Sequence, residues 1–264
     1  MKIYFHDMFY DVYTGDPAAA GGRMEAIVGA IENDVTIFSP RPATISEIEA
    51  AHEMGHIERV RRKGLFDIAA TAAGGAIEAA AAGMTEPAFA LIRPPGHHAS
   101  AGSSWGFCYF NNMAIALCAL KARHPRLEAF VLDFDLHFGD GTVNILGDKN
   151  WVSILNPEAP DRKQYLATVK AALSTTNADI IGVSAGFDNH REDWGHLMFT
   201  EDYRQMGRWA RNAATRNRGG CFGILEGGYN HEVLGKNVAA FIQGLGGPRQ
   251  DERPKVGSIP KSKT

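Results

Sequence analysis

Ala129-Phe130-Val131-Leu132-Asp133-Phe134-Asp135-Leu136-His137-Phe138-Gly139-Asp140-Gly141 is the stretch that orients the whole chain. Its first four residues are apolar without alternation, the pattern of a strand covered on both faces in a parallel sheet. The rest turns ionisable and ends in Gly-Asp-Gly. In extended backbone, positions two apart share a side, so Asp133, Asp135 and His137 are expected to point the same way. Carboxylates brought together raise each other's pKa, and a divalent cation relieves that cost. Asp and His are zinc ligands, and a catalytic zinc keeps three protein ligands and one open position. Two aspartates in a surface turn would spell the same D-x-D-x-H; the apolar lead-in and the glycines after it favour the metal.

Working outward, short β-branched or aromatic runs alternate with helical patterns. Strands are expected over residues 3–5, 35–38, 89–92, 129–134, 152–155, 180–184 and 222–225. Helices are expected over residues 23–32, 45–63, 66–82, 112–122, 163–173, 202–217 and 232–245. Such alternation predicts an α/β fold in three layers, a parallel sheet with helices on both faces. In open sheets of this kind ligands bind beyond the carboxyl ends of the strands. Here those ends are polar. Residues 89–92 lead into Arg93-Pro94-Pro95-Gly96-His97-His98, residues 180–184 into Ala185-Gly186-Phe187-Asp188, and residues 222–225 into Glu226-Gly227-Gly228-Tyr229. One shared site explains all four ends together. Asp188 is then the natural third metal ligand. Adjacent histidines suit a general base and its electrostatic partner, and a phenol after two glycines suits donation to an oxyanion. A lone His-His or Gly-Gly-Tyr is more often incidental; it is their convergence that carries weight.

Composition sets the limits. With 264 residues, 45% of them hydrophobic, the chain can bury the core of one large domain. Residues 1–245 read as that domain and residues 246–264 as a polar tail. A net charge of -3 does not mark a nucleic-acid binder. Cys108, Cys118 and Cys221 form no C-x-x-C pair and are expected as buried free thiols in a reducing compartment. The opening residues lack the apolar stretch of a signal peptide, and no window reaches the roughly 20 apolar residues of a membrane helix. A cytoplasmic protein with no membrane partner is expected.

The motifs taken in order are more specific than any one of them. Arg93-Pro94-Pro95-Gly96-His97-His98-Ala99, Gly106-Phe107-Cys108-Tyr109-Phe110-Asn111-Asn112, residues 133–141, residues 184–188 and residues 226–230 resemble the motif set of the histone deacetylase family. The likeness is nearest to its bacterial and class II branches, which include acetylpolyamine amidohydrolases, and covers most of residues 86–245. It implies an arginase-deacetylase-like fold, here a compact version with shortened loops, and zinc-dependent removal of acetyl groups from lysine side chains or small amines. Asp135, His137 and Asp188 match the zinc ligands. His98 matches the general base and acid, and His97 its electrostatic neighbour. Asp133 and Asp140 match the carboxylates behind the two histidines, and Tyr229 the phenol that polarises the carbonyl. Gly106 and Phe107 match a channel wall, and Arg23 resembles an arginine near an internal acetate cavity. Asp133 and Ser153 resemble contributors to a structural potassium site.

The chain also departs from the family pattern. Phe138 stands where a second histidine is frequent. Residues 156–164 carry no Gly-rich loop with a second channel aromatic, and the segment before the Ala-rich helix is short. A shallow mouth and relaxed substrate preference are expected, with Trp194 at the rim and no gatekeeper glutamate placed in Glu192-Asp193-Trp194-Gly195. A homo-oligomer whose partner subunit completes the channel is the alternative. Two other functions compete: a non-catalytic acyl-lysine or metabolite-binding protein on the same scaffold, and a two-manganese ureohydrolase. Asn189 and His190 after Asp188 disfavour the second, since that chemistry needs further aspartates there.

Overall fold

A computed structural model of the chain describes residues 1–247; the remainder of the expected tail, residues 248–264, lies outside the described residues. In chain order it shows β1 (Lys2–Tyr4), α1 (Arg23–Ile31), β2 (Thr36–Phe38), α2 (Ile45–Glu49), α3 (Met54–Arg62), α4 (Phe66–Gly83), β3 (Ala88–Ala90) and α5 (Asn112–Arg123). These are followed by β4 (Ala129–Asp133), α6 (Asp140–Leu146), β5 (Val152–Leu155), α7 (Arg162–Thr175), β6 (Ile180–Ala185), α8 (Thr200–Asn217), β7 (Gly220–Leu225) and α9 (His231–Gly246). The strands form one parallel sheet in the order β2-β1-β3-β7-β6-β4-β5.

Burial explains the order. Every residue of β3, β4, β6 and β7 is buried, and these four apolar strands lie side by side at the centre. The edge strand β2 is exposed and β5 is only partly covered. Helices α4 and α5 pack on one face, while α1, α8 and α9 form the layer on the other. One continuous hydrophobic cluster runs through all three layers. The consequence for function is direct: the four strands whose ends were read as polar are consecutive neighbours, so their loops open onto the same crevice.

Three expectations need correction. The helix expected over residues 45–63 is two helices, because the amide of Glu53 leaves the helical ladder to donate to Ala101 O. Beside it, buried His52 faces Ser100 O through Nδ1 and accepts from the Asn111 amide through Nε2. Tethering two loops outweighs helix continuity. Helix α6 was not among the expected helices; Asp140 opens it, where its charge suits the positive helix end. Finally, β4 stops at Asp133, so Asp135 and His137 are not on an extended run. Among the described residues no helix is long and apolar enough to cross a membrane.

Candidate active site

The carboxylates after β4 converge through a pair of tight turns rather than through strand alternation. Asp133 Oδ1 accepts from the Asp135 amide at 3.2 Å, and Asp135 Oδ1 accepts from the His137 amide at 2.9 Å. Each aspartate thus satisfies the backbone two residues on and leaves one oxygen free to face the crevice. For Asp133 that oxygen meets His97 Nδ1 at 3.1 Å. For Asp135 it accepts from the Gly227 amide at 2.8 Å, tying the β4 and β7 loops together. Gly186, at the end of β6, is required here: a Cβ on it would lie 1.9 Å from Asp135 Oδ2.

His137 Nδ1 faces Asp135 Oδ1 at 3.2 Å and Asp188 Oδ2 at 3.1 Å. Asp188 Oδ1 accepts from the Leu136 amide, while buried Asp188 Oδ2 meets the His137 ring nitrogen as an ion-pair contact out of good hydrogen-bonding line. A hydrogen bond with Asp135 first, and the Asp188 carboxylate next, push the His137 imidazole up to about 10. Burial, and then the charge of Asp135, push Asp188 up to about 6. The positive charge beside these two buried carboxylates comes from His137 and from His97, whose Nε2 lies 3.8 Å from Asp135 Oδ1. Ligand atoms of the three residues lie within 4.8 Å of one another, and an O, N, O donor set in which the Asp188 oxygen lacks a well-aligned hydrogen bond fits a divalent cation.

A second juxtaposition, of His97, Cys108 and Glu226, also brings three donors within 4.8 Å. It is a brace rather than a cation site. Glu226 Oε2 accepts from the amides of Gly96 and His97 at 2.7 and 3.2 Å, fixing the histidine loop to β7. Burial pushes Glu226 up to about 7 and raises Cys108 well above the usual thiol range, so its sulfur stays protonated.

The two histidines differ in surroundings. Burial opposes charge on His97, but the carboxylates of Asp135 and Asp133 outweigh it and raise its pKa. Burial and the neighbouring His97 lower His98 to about 4. His98 Nδ1 lies 2.7 Å from Asp140 Oδ1, so Nδ1–H donates to the carboxylate and Nε2 is left as the free base. Gly106 and Phe107 lie consecutively in left-handed backbone, with φ of 56° and 68°. A Cβ at Gly106 would stand 2.4 Å from His98 Cδ2, and the unusual φ at Phe107 brings its ring to 6.0 Å from Tyr229.

On the far side, Asp193 Oδ2 accepts from the amides of Tyr229 and Asn230, and the Trp194 ring stacks on Tyr229 at 4.1 Å. Arg23, fully buried, donates to Gly228 O and Glu226 O and stands 5.6 Å from the Tyr229 ring. The cavity between these walls has a volume of about 130 Å³ and is lined by Pro95, His97, His98, Trp105, Gly106, Phe107, His137, Trp194, Gly227 and Tyr229. Residues 19–165 and 152–245 match the histone deacetylase domain model. The chain belongs to the histone deacetylase family.

Relatives within that family span nearly the same length. A probable deacetylase of Methanothermobacter thermautotrophicus is 31% identical, covering 93% of this chain and 91% of its own. A histone deacetylase-like amidohydrolase of Pseudomonas aeruginosa is 27% identical, covering 90% and 80%. An acetylpolyamine amidohydrolase of Mycoplana ramosa is 29% identical, covering 87% and 77%. The solved HDA15 HD domain shares the fold, with a TM-score of 0.80 at 21% identity over 97% of this chain and 90% of that one. The chain is accordingly a deacetylase, a hydrolase of amide bonds.

Within this histone deacetylase family site, the sequence-expected residues His97, His98, Asp133, Asp135, His137, Asp140, Asp188, Phe107, Gly106, Trp194, Arg23 and Tyr229 all border one crevice or brace its walls. Ser153 does not join them: it pairs with Phe130 and is exposed, whereas buried Ser184 is the residue beside Asp133. Phe138 is 49% exposed and does not line the cavity. Sequence reasoning gave no role to Trp105 or Asp193, and quoted Glu226 in a motif without assigning it one. Trp105 falls outside every motif, while Glu226 and Asp193 act through backbone amides, which no side-chain spacing reveals.

Proposed function

We propose that the chain is a zinc-dependent deacetylase acting on acetylated lysine side chains or small acetylated amines. What carries this reading is the Asp135–His137–Asp188 cradle facing His98, backed by Asp140, and Tyr229 across a single cavity. A zinc ion held by those three residues supplies a water of lowered pKa and a Lewis acid for the amide carbonyl. His98 Nε2 takes the proton of the attacking water and returns it to the leaving nitrogen as the C–N bond breaks. Tyr229, whose hydroxyl is kept protonated by burial, donates to the oxygen that gains charge. His97 holds its proton against Asp133. The products are acetate and a free amine.

The cavity's aromatic walls suit a small acyl group and an alkyl stem. Among the described residues no carboxylate lines the cavity itself, so a substrate ammonium would meet no counter-charge inside it. Relaxed preference follows. Purified protein should carry one divalent ion per chain and release acetate from an acetyl-lysine peptide, acetylputrescine and acetylspermidine, with kcat/KM values within about 1000-fold of one another. Metal-loaded protein that hydrolyses none of them would instead be an acyl-lysine or metabolite-binding member of the family.

A further inference from the structure

Trp105 is 56% exposed at the lip of the cavity, yet two contacts hold it that a surface aromatic does not need. Its ring stacks on His98 with centroids 3.8 Å apart and planes at 29°. Its Nε1–H donates to Asp140 Oδ2 at 2.9 Å. The other oxygen of that carboxylate is the one facing His98 Nδ1. Trp105 therefore touches both members of the pair, from the side open to solvent.

We propose that Trp105 is a positioning residue of the hydrolytic site, clamping Asp140 and covering His98 so that His98 Nε2 keeps one orientation toward the reacting centre. The physical need is clear. A carboxylate turns easily about its last torsion, and the Asp140 side chain is 35% exposed. Besides His98 and Trp105 it accepts from its own neighbour, the Gly141 amide; without the indole it would turn more freely and carry the imidazole with it. The indole N–H fixes the plane of the carboxylate, and the stacked ring fixes the tilt of the imidazole. Hydrogen bonds to a charged group are the stronger kind, so the clamp acts at the most effective point. Orientation of this sort changes the rate of proton transfer more than the binding of substrate.

The proposal rests on the reading that His98 is the general base, and the test separates the two. Trp105→Phe keeps a covering ring and loses the N–H; Trp105→Ala loses both. In zinc-loaded protein, Trp105→Phe should lower kcat about 10-fold and Trp105→Ala about 100-fold, with KM in Trp105→Phe within about threefold. Independently of activity, the hydrogen-bonded Nδ1–H proton of His98 in the NMR spectrum should be sharp in the parent, weaker in Trp105→Phe and exchanged away in Trp105→Ala. An active parent whose Trp105→Ala variant keeps both its kcat and the His98 proton overturns the clamp. Lower kcat with the proton unchanged makes Trp105 a substrate contact and overturns it equally, as does a lost proton with kcat intact. A parent that hydrolyses no acyl-amine, but whose His98 proton responds as described, sinks the general-base reading and leaves the clamp standing.

Discussion

The two ends of the sheet solve opposite electrostatic problems. At the amino end a cleft of about 530 Å³ is lined by Arg123, His124, Arg126 and Arg218 together with Asp179 and Met84. Helices α4, α5 and α8 all terminate there, with Met84, His124 and Arg218 as their last caps. Cations beside helix carboxyl ends answer the partial negative charge of those ends, and these arginines do so in contact with water. At the carboxyl end the cavity is only about 130 Å³. Yet Asp133, Asp135, Asp188 and Glu226 are all buried around it, and one Asp188 oxygen has an ion-pair contact with His137 but no well-aligned hydrogen bond. Exposed charge costs little; buried, poorly partnered charge costs several kcal/mol. Cost, not volume, separates the site from the larger hollow, because a sequence keeps an expensive arrangement only where something beyond stability requires it.

The largest expected effect tests that cost directly. Asp188→Asn should remove the bound metal and reduce activity by more than about 1000-fold. In the presence of chelator the same variant should melt within a few degrees of its parent. Burial and Asp135 disfavour the Asp188 carboxylate, while its contact with His137 favours the imidazolium, so the two effects of losing the charge oppose each other. Elemental analysis, acetate release and a melting curve read the three parts. A chelated variant that melts well below its parent would make Asp188 a structural residue and break the contrast between the two ends.

Next in size is Tyr229→Phe. One oxyanion donor is typically worth about 100- to 1000-fold in kcat, and KM should hardly move. Steady-state kinetics on an acetyl-lysine peptide checks it. Near-normal kcat would mean that the phenol serves only the ring stack with Trp194 and the contact with Arg23.

Much of this was legible in the chain. Each expected strand exists, within a residue or two at its ends, because uninterrupted apolar runs such as residues 129–132 have no other way to be covered on both faces. The His-His, Asp188 and Tyr229 loops could be pooled into one site because polar residues after such runs lie on one edge of a parallel sheet. What could not be read was contact made through backbone or across loops. The split at Glu53 depends on a carbonyl at residue 101, and Glu226 and Asp193 work by receiving amides from distant loops. Trp105 carries no motif; only the fold brings its indole to Asp140. The grouping of Asp133, Asp135 and His137 was reached from a wrong premise, strand alternation, although their convergence was expected.

A smaller effect concerns acid. His52 ties the loop at Ser100 to the loop at Asn111 beneath the site. Burial, and then the nearby His56, lower it to about 4. A depressed histidine stabilises the fold fully above its ordinary value near 6.5, and that stabilisation is lost as pH falls through about 4. The amount at stake is at most about 3 kcal/mol. Melting temperature should therefore drop between pH 7 and pH 4.5, and His52→Gln, which can accept and donate at the same places, should show a shallower drop despite a lower starting point. Equal pH slopes in parent and variant would remove His52 from the acid response.

The smallest effect belongs to the amino end and completes the contrast. Arg123→Gln combined with Arg218→Gln removes two charges and keeps most of the side-chain bulk in the larger cleft. If these arginines only answer helix ends, kcat/KM should stay within about twofold of the parent, because nothing in the reaction's chemistry reaches that edge of the sheet. Stability should fall by about 1 kcal/mol in total, since a cation near a helix carboxyl end is worth about 0.3–1 kcal/mol, or roughly 2–4 °C for a domain of this size. Salt should erase much of that difference, as charges in contact with water are screened over about 10 Å at 0.1 M. Melting curves at low and high ionic strength, together with steady-state rates, decide the matter. A tenfold loss of activity would couple the two ends through the central strands. A stability loss indifferent to salt would mean that the arginines pack rather than compensate charge, and the electrostatic account of the cleft would fail.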